Sequence, residues 1–242
     1  KPSNEVGLTI EGLSSKGKLK DVSLSANKGE IFGIYGLMGS GRTEIFNYIF
    51  GLDPSATGTL KVNGQTIKIS KPTDAMDNDI AFVTEDRKLT GLNLSASVRD
   101  NICMASLPEM SPRFNVDRNK EKQASQAMIK RFRVKVSNDN LPVSSLSGGN
   151  QQKVVLGKWF LRDPKVLLLD EPTRGVDVGA KHEIYRTMCE FAESGGTVLM
   201  VSSEIDEILG MADRILVMKD GQSAGIYQRQ NLDPQSLVHL ST

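Results

Sequence analysis

The 242-residue sequence contains only two cysteines, Cys103 and Cys189. That is too few for a disulfide scaffold, and a reducing compartment is the default. No apolar run approaches the roughly 18 residues of a spanning helix, which excludes a segment that crosses a bilayer in that form. Neither charge is in excess. Thirty Lys and Arg stand against 29 Asp and Glu, a net charge of +1. On charge grounds this excludes the whole chain as a nucleic-acid or membrane-surface binder. There is no internal repeat, no low-complexity tract and no linker long enough to divide the chain. No secretory signal opens the sequence, and it begins at Lys1 rather than Met, as a segment of a longer chain would. What is present is a globular composition, 38% hydrophobic and 24% charged, sufficient for one large domain or a core with a smaller subdomain.

The first third is dominated by strand patterns. Gly7-Leu8-Thr9-Ile10 and Val22-Ser23-Leu24-Ser25 alternate apolar with polar, as half-buried antiparallel strands do. Glu30 to Tyr35 reads as a strand running into a glycine-rich turn, and Thr43 to Phe50 has helical spacing with Ile45, Ile49 and Phe50 on one face. Thr59 to Gly64 reads as a hairpin turning at Asn63-Gly64. From Ser95 to Phe160 the pattern is mostly helical and polar, and Arg118 to Arg133 reads as an amphipathic helix with a solvated face. The last third alternates types. Val166 to Leu169 and Thr197 to Val201 are continuous apolar runs, as in strands buried on both faces of a parallel sheet. Asp177 is placed to cap a helix reaching about Glu193. Ile205 to Met211 reads as a short helix, and Ile215 to Met218 as a further strand. Strand-helix-strand repetition predicts an α/β sheet.

Three motifs carry chemistry. Gly36-Leu37-Met38-Gly39-Ser40-Gly41-Arg42-Thr43 lies between a strand and a helix. Its glycines allow successive N–H groups to face one anion, the helix adds its positive end, and Thr43 would offer a hydroxyl to Mg²⁺. Arg42 stands where such loops usually carry Lys, and a guanidinium is planar and broader than an ammonium. The alternative is a glycine-rich turn with an exposed Arg. Second, the apolar run Val166 to Leu169 ends in Asp170-Glu171. Adjacent carboxylates repel and gain nothing from a core. Asp170 fits a Mg²⁺-holding residue, and Glu171 fits the group that orients or deprotonates an attacking water. The alternative is two acids ending a strand. Third, Leu146-Ser147-Gly148-Gly149-Asn150-Gln151-Gln152-Lys153 would offer hydroxyl and N–H donors at a helix start, a second anion site, or else an ordinary Ser N-cap with a Gly-Gly turn.

In this order the three motifs resemble the nucleotide-binding domain of ABC transporters, a resemblance that covers nearly the whole chain. It implies a P-loop NTPase (RecA-like) α/β core with an antiparallel β subdomain and a helical subdomain at about 95–160. It implies ATP and Mg²⁺, and two such domains sandwiching ATP between one domain's phosphate loop and the other's signature serine. Gly36, Gly39, Ser40, Gly41, Arg42 and Thr43 would then bind nucleotide. Thr43, Asp170 and Glu85 would attend the metal, and Glu171 would be catalytic. Ser147, Gly148, Gly149, Asn150 and Gln151 would form the signature, while Ser203 and Asp177 would hold the switch and D-loop positions.

Arg42-Thr43-Glu44, Asn150 to Lys153 and Asp170 to Lys181 further resemble the second ATP-binding half of ribose/galactose/xylose-type sugar importers. This implies a C-terminal piece of a two-half polypeptide, peripheral on the cytoplasmic face of the membrane. Its partners would be the other nucleotide-binding half, membrane-spanning permease subunits touched by Glu85 to Leu94, and indirectly a sugar-binding protein, with no nucleic acid.

Departures from the ATPase pattern concern the chain's own nucleotide site. Arg42 replaces Lys, Ser203 replaces a switch His, Glu85 replaces Gln, and no aromatic lies in Gly12 to Leu19 where an adenine-stacking residue is expected. The sugar-importer relatives share the Arg and the Ser. Together these changes predict a site that binds weakly or turns over slowly, while the signature serves the partner's site. The competing readings are a regulatory module that binds nucleotide without hydrolysis, an importer ATPase for a nucleoside or signalling molecule, and an ABC ATPase acting on DNA or ribosomes. This last class usually carries insertions or basic extensions that are absent here. His182 reads as a solvated helical residue, His239 as part of a frayed end, and Trp159 and Phe160 as packing for the helix after the signature.

Overall fold

The structure, a computed structural model, describes residues 2–111 and 115–242. In chain order its elements begin with β1 (Val6–Ser15), β2 (Leu19–Asn27), β3 (Ile31–Gly36), α1 (Arg42–Ile49), β4 (Thr57–Val62), β5 (Gln65–Ile67), α2 (Pro72–Asp77) and β6 (Ile80–Val83). A π-helical turn at Arg87–Gly91 leads to α3 (Val98–Cys103), α4 (Leu107–Met110), α5 (Arg118–Arg131) and α6 (Gly148–Phe160). There follow β7 (Val166–Asp170), α7 (Val178–Glu193), β8 (Thr197–Val201), α8 (Ile205–Met211), β9 (Arg214–Lys219), β10 (Gln222–Gln228) and α9 (Pro234–Ser241). The chain divides into two units. One comprises Lys1–Phe82, Lys165–Pro172 and Tyr185–Thr242, the other Val83–Pro164 and Thr173–Ile184.

Among the described residues, the strands of the first unit form two sheets, ordered β2-β1-β4-β5 and β10-β9-β3-β8-β7-β6. The four-stranded sheet is antiparallel, as the alternating pattern predicts, with Leu8, Ile10, Leu13, Val22 and Leu24 turned inward. Its hairpin turns at Asn63-Gly64, both at positive φ, 50° and 79°, the geometry of a primed two-residue turn. In the larger sheet β9, β3, β8 and β7 run parallel and β10 is an antiparallel edge. All residues of β3, β7 and β8 are buried. That is why those segments read as unbroken apolar runs. On α1 the buried face is Ile45, Phe46 and Ile49. Phe46 and Phe50 meet Phe82 edge-on, with ring centroids 5.7 Å and 5.4 Å away.

One charge pair fixes the entry to β3. Glu30, 1% exposed, accepts from Arg214 Nε at 2.6 Å and Nη2 at 2.9 Å. The Asn27 N–H adds a third bond, and the guanidinium lies 5.2 Å from the Phe32 ring centre. A buried carboxylate so fully partnered is tolerable, whereas an unpaired one is not.

The second unit holds α3 to α6 and the start of α7, so the predicted helical stretch 95–160 lies within it. On α5 the inward positions include Glu121 and Ser125, and Ala127 faces solvent. Glu121 is partnered by Arg118 at 2.8 Å, and Arg99 grips Asp139 through two bonds, at 3.0 Å and 2.6 Å. Both cysteines are free; Cys103 is buried, and burial pushes its thiol up to about 12.

Sequence patterning misses β6, β10, α2 and α9. The last changes the expectation for His239. The end is not frayed but helical, with Asp233 accepting from the Ser236 N–H at 2.7 Å and Pro234 in the first turn.

Lys158 is a buried titratable group of the second unit. Its Nζ donates to the Gly91 carbonyl at 2.7 Å and lies 4.9 Å from the Trp159 ring centre. Burial lowers its pKa from 10.5 to about 8. Between those values the folded form has released a proton that the unfolded chain keeps. Stability linked to Lys158 is therefore fully present above 10.5 and lost as pH falls through 8. Urea unfolding across about pH 7.5–10.5 is expected to show the parent gaining on Lys158→Met as pH rises. Parallel profiles would contradict this assignment.

Candidate functional site

The first unit places the phosphate loop and the acid pair at the same end of one sheet. β3 and β7 run parallel with β8 between them, so Gly36 and Asp170 both lie at carboxyl ends. That is where α/β sheets bind ligands. At Gly36 an added Cβ would meet Ser40 Oγ at 2.4 Å and the Met218 carbonyl oxygen at 2.5 Å. Gly39 and Gly41 take φ of 81° and 99°, open to glycine and unfavourable for other residues. The curl delivers the chain to α1, which begins at Arg42 with its first N–H groups lacking intrahelical acceptors.

The side chains at this end are connected. Thr43 Oγ1 donates to Asp170 Oδ2 at 2.9 Å. Arg42 Nη1 donates to the Ser202 carbonyl at 3.3 Å and lies 3.7 Å from Glu171 Oε1, with side-chain exposures of 14% and 11% for the pair. Ser203 Oγ donates to Glu171 Oε2 at 3.1 Å. Glu171 itself adopts φ of 48°, a region non-glycine residues visit at a cost and typically at functional sites.

The residues fit a phosphate chain with a divalent cation. The loop leaves a cradle that any side chain at Gly36 would fill. Ser40 Oγ is buried and, among the described residues, has no hydrogen-bond partner. The Thr43 hydroxyl beside the Asp170 carboxylate is a hard oxygen donor set suited to Mg²⁺. The β1–β2 turn lies against the loop: Lys18 pairs with Glu44 at 3.1 Å, and Gly41 has Leu19 and the Lys18 carbonyl beside it.

The second unit carries the other predicted residues. Ser147 is the N-cap of α6, and its hydroxyl makes no cap bond to the helix. Instead its oxygen accepts from Asn150 Nδ2 at 3.0 Å, and Asn150 Oδ1 accepts the Lys135 N–H at 2.8 Å. The Ser147 proton is thereby left to donate. Gly148 and Gly149 are helical rather than a turn, and their smallness answers close neighbours. A Cβ at 148 would lie 2.7 Å from Arg87 Nη2, and one at 149 would lie 2.8 Å from Ala180 Cβ and 3.0 Å from Asp177 Oδ2. Asp177 caps α7 by accepting the Ala180 N–H at 2.9 Å. Gln151 donates to the Leu146 carbonyl at 3.1 Å. Glu85 forms an ion pair with Arg174. Sequence reasoning singles out neither Arg87 nor Arg174 as a separate group. Among the described residues Arg87 donates to main-chain carbonyls, which no residue pattern announces.

Known proteins resemble this chain in sequence and in fold. A family model described as ABC transporter matches residues 19–174. A ribose import ATP-binding protein of Bacillus cereus is 48% identical over 229 residues, covering 95% of this chain and 46% of that protein. The galactose/methyl galactoside import ATP-binding protein of Treponema pallidum (strain Nichols) is 46% identical over 243 residues, covering 98% and 49%. The chain thus spans about half the length of the curated relatives it matches. A solved ATP-binding cassette of an ABC transporter in its ADP conformation superposes with a TM-score of 0.78 at 22% identity, over 97% of this chain and 98% of that one. A nucleotide-free cassette gives 0.80 at 23%, over 95% and 96%. The fold is that of a P-loop ATP-binding cassette, with mixed sheets and helices.

The cradle yields a direct test. Gly36→Ala forces a methyl onto a backbone oxygen that cannot yield, at an expected cost of about 2 kcal/mol in urea unfolding, with loss of fluorescent ADP binding. Gly39→Ala meets nothing within 4 Å and is expected to cost about 1 kcal/mol through its positive φ alone. Equal stability and binding in Gly36→Ala and parent would contradict the close-approach account.

Proposed function

We propose that this chain, which belongs to the ABC transporter family, is an ATPase cassette that couples ATP binding and hydrolysis to sugar import. The observation that carries this reading is the convergence of the Gly36–Thr43 loop with Asp170 and Glu171 at the carboxyl ends of β3 and β7. The loop amides and the N-terminus of α1 would bind the phosphates, and Arg42 would turn from Glu171 to the phosphate oxygens. Thr43 and Asp170 would hold Mg²⁺, which neutralises charge on the β- and γ-phosphates when bound. Glu171 would orient the attacking water and accept its proton as the γ-phosphoryl group is transferred, giving ADP and phosphate.

The charge pattern supports a site slower than its fold allows. Arg42 must leave a carboxylate before it can meet phosphate, and Ser203 offers no positive charge where a switch His would. The signature at Ser147, with its hydroxyl proton free to donate, is read as completing the ATP site of another nucleotide-binding half. That half, permease subunits touched by residues 85–94 and a sugar-binding protein are the proposed partners, at the cytoplasmic face of the membrane. Among the described residues no helix is long and apolar enough to cross it. The sugar class rests on the ribose and galactose importers the chain resembles. The Arg42–Glu171 pair also supports the second reading, a module that binds nucleotide without hydrolysing it.

Nucleotide binding and ATP turnover by the chain alone separate these readings. The parent is expected to turn over slowly, and Arg42→Lys is expected to bind MgATP roughly tenfold tighter, about 1.4 kcal/mol. Glu171→Gln is expected to abolish the residual turnover. Residual turnover unaffected by Glu171→Gln would overturn the catalytic assignment. Fast parental turnover with no gain in Arg42→Lys would overturn the slow-site assignment.

A further inference from the structure

The segment from Thr84 to Gly91 is built as a rigid piece. Asp86 Oδ1 accepts the N–H groups of Lys88 and Leu89 at 2.9 Å and 3.0 Å. Its carbonyl accepts the Thr90 N–H at 2.9 Å. Thr90 Oγ1 donates to Thr84 Oγ1 at 2.7 Å. Two side chains fasten this piece. Lys158 Nζ, from α6, holds the Gly91 carbonyl. Arg87 bonds to the chain that precedes α7. Its Nη1 donates to the Arg174 carbonyl at 2.8 Å and its Nη2 to the Gly175 carbonyl at 3.1 Å. The same Nη2 fills the space that a Cβ at Gly148 would need. The Arg174 side chain returns to Glu85, so the segments 85–87 and 174–175 clasp each other reciprocally.

Arg87 is not a surface arginine that happens to find carbonyls. It is half-buried, and its Nε is buried without a hydrogen-bond partner among the described residues. Burial also lowers its pKa, partly offset by neighbouring Asp86. A guanidinium held at that desolvation cost has one geometry open to it, because its planar fork must satisfy two successive carbonyls. Lys could reach only one of them at a time.

We propose that Arg87 is a positioning residue for ATP hydrolysis. It ties the segment 84–91 to the stretch of chain leading into Asp177 and packs it against Gly148 at the first turn of the signature helix, so that a shift of that segment bears on Ser147. This rests on the reading above that residues 85–94 face the membrane subunits and that Ser147 completes an ATP site. Arg87 touches no nucleotide. It acts by setting where Ser147 and Asp177 stand, and an ångström-scale misplacement of such groups costs about one to two powers of ten in rate.

Two readouts on Arg87→Met, Arg87→Lys and Gly148→Ala test this. Hydrogen exchange on the chain itself is expected to rise roughly tenfold or more in Arg87→Met at the amides of Gln151, Gln152, Ala180 and Lys181, with the amides of β3 and β8 unchanged. In the assembled transporter, kcat for ATP is expected to fall roughly tenfold in Arg87→Met and in Gly148→Ala, with KM for MgATP unchanged. Arg87→Lys is expected to recover part of the loss, since it restores one of the two bonds. Unchanged exchange at those amides overturns the clasp, whether or not the transporter hydrolyses ATP. Unchanged kcat, or a loss of kcat accompanied by an equal rise in KM and faster exchange throughout the chain, overturns the positioning role. A parental transporter without ATP turnover overturns the functional reading above, and the exchange result then decides the clasp alone.

Discussion

No side chain can exist at position 36, and the nucleotide end of the molecule depends on that constraint. Gly36 ends the strand that lies between β8 and β9, with Met218 opposite it in register. The Met218 carbonyl and the Ser40 hydroxyl close over the space a methyl group would need. Because β3 is hemmed in on both sides, the chain leaving it has one way out, a tight curl through Gly39 and Gly41 into α1. The curl leads into the N-terminus of α1, and it delivers Thr43 to within a hydrogen bond of Asp170. The phosphate affinity proposed for this loop would thus follow from close packing: a buried parallel sheet leaves room for a bare backbone and nothing more.

The charges around that loop are already engaged with one another. Arg42 and Ser203 both engage Glu171, the carboxylate proposed to accept a proton from water. A pair so little exposed is screened less than a surface pair. A phosphate chain brings more negative charge to Arg42 than Glu171 can, and the guanidinium fork matches phosphate oxygens as well as it matches a carboxylate. On the proposed function, binding nucleotide and releasing Glu171 would be one event. Lys in place of Arg42 would be a point charge on a flexible stem and would couple the two less tightly.

Much of this is legible in the sequence. Fully buried strands announce themselves as unbroken apolar runs, which is why Val166–Leu169 and Thr197–Val201 are readable. The phosphate loop and the acid pair are readable because glycines at positive φ and adjacent carboxylates have few structural excuses. Some edge and short elements are not. β10 is mostly exposed and carries no alternation, since Ser223, Ala224 and Gly225 break it near a register shift. α9 announces itself only through Asp233-Pro234, a cap signal that is also a turn signal. The signature glycines are legible as the start of a helix, and they do open α6. The sequence does not show that their smallness answers Arg87, Asp177 and Ala180, residues distant in sequence. Arg87 has no signal at all, because its acceptors are backbone carbonyls that every residue possesses.

The central claim is that a phosphate chain seats in the Gly36–Thr43 loop with its cation beside Thr43 and Asp170. Electron–nuclear double resonance on the protein with Mn²⁺ replacing Mg²⁺ and ATP added tests it most directly. The account predicts ³¹P couplings from two phosphates to protein-bound Mn²⁺ in the parent, with the bound signal lost in Asp170→Asn. A bound Mn²⁺ signal with ³¹P couplings that persists unchanged in Asp170→Asn, or Mn²⁺–ATP that remains free at saturating protein, would contradict it.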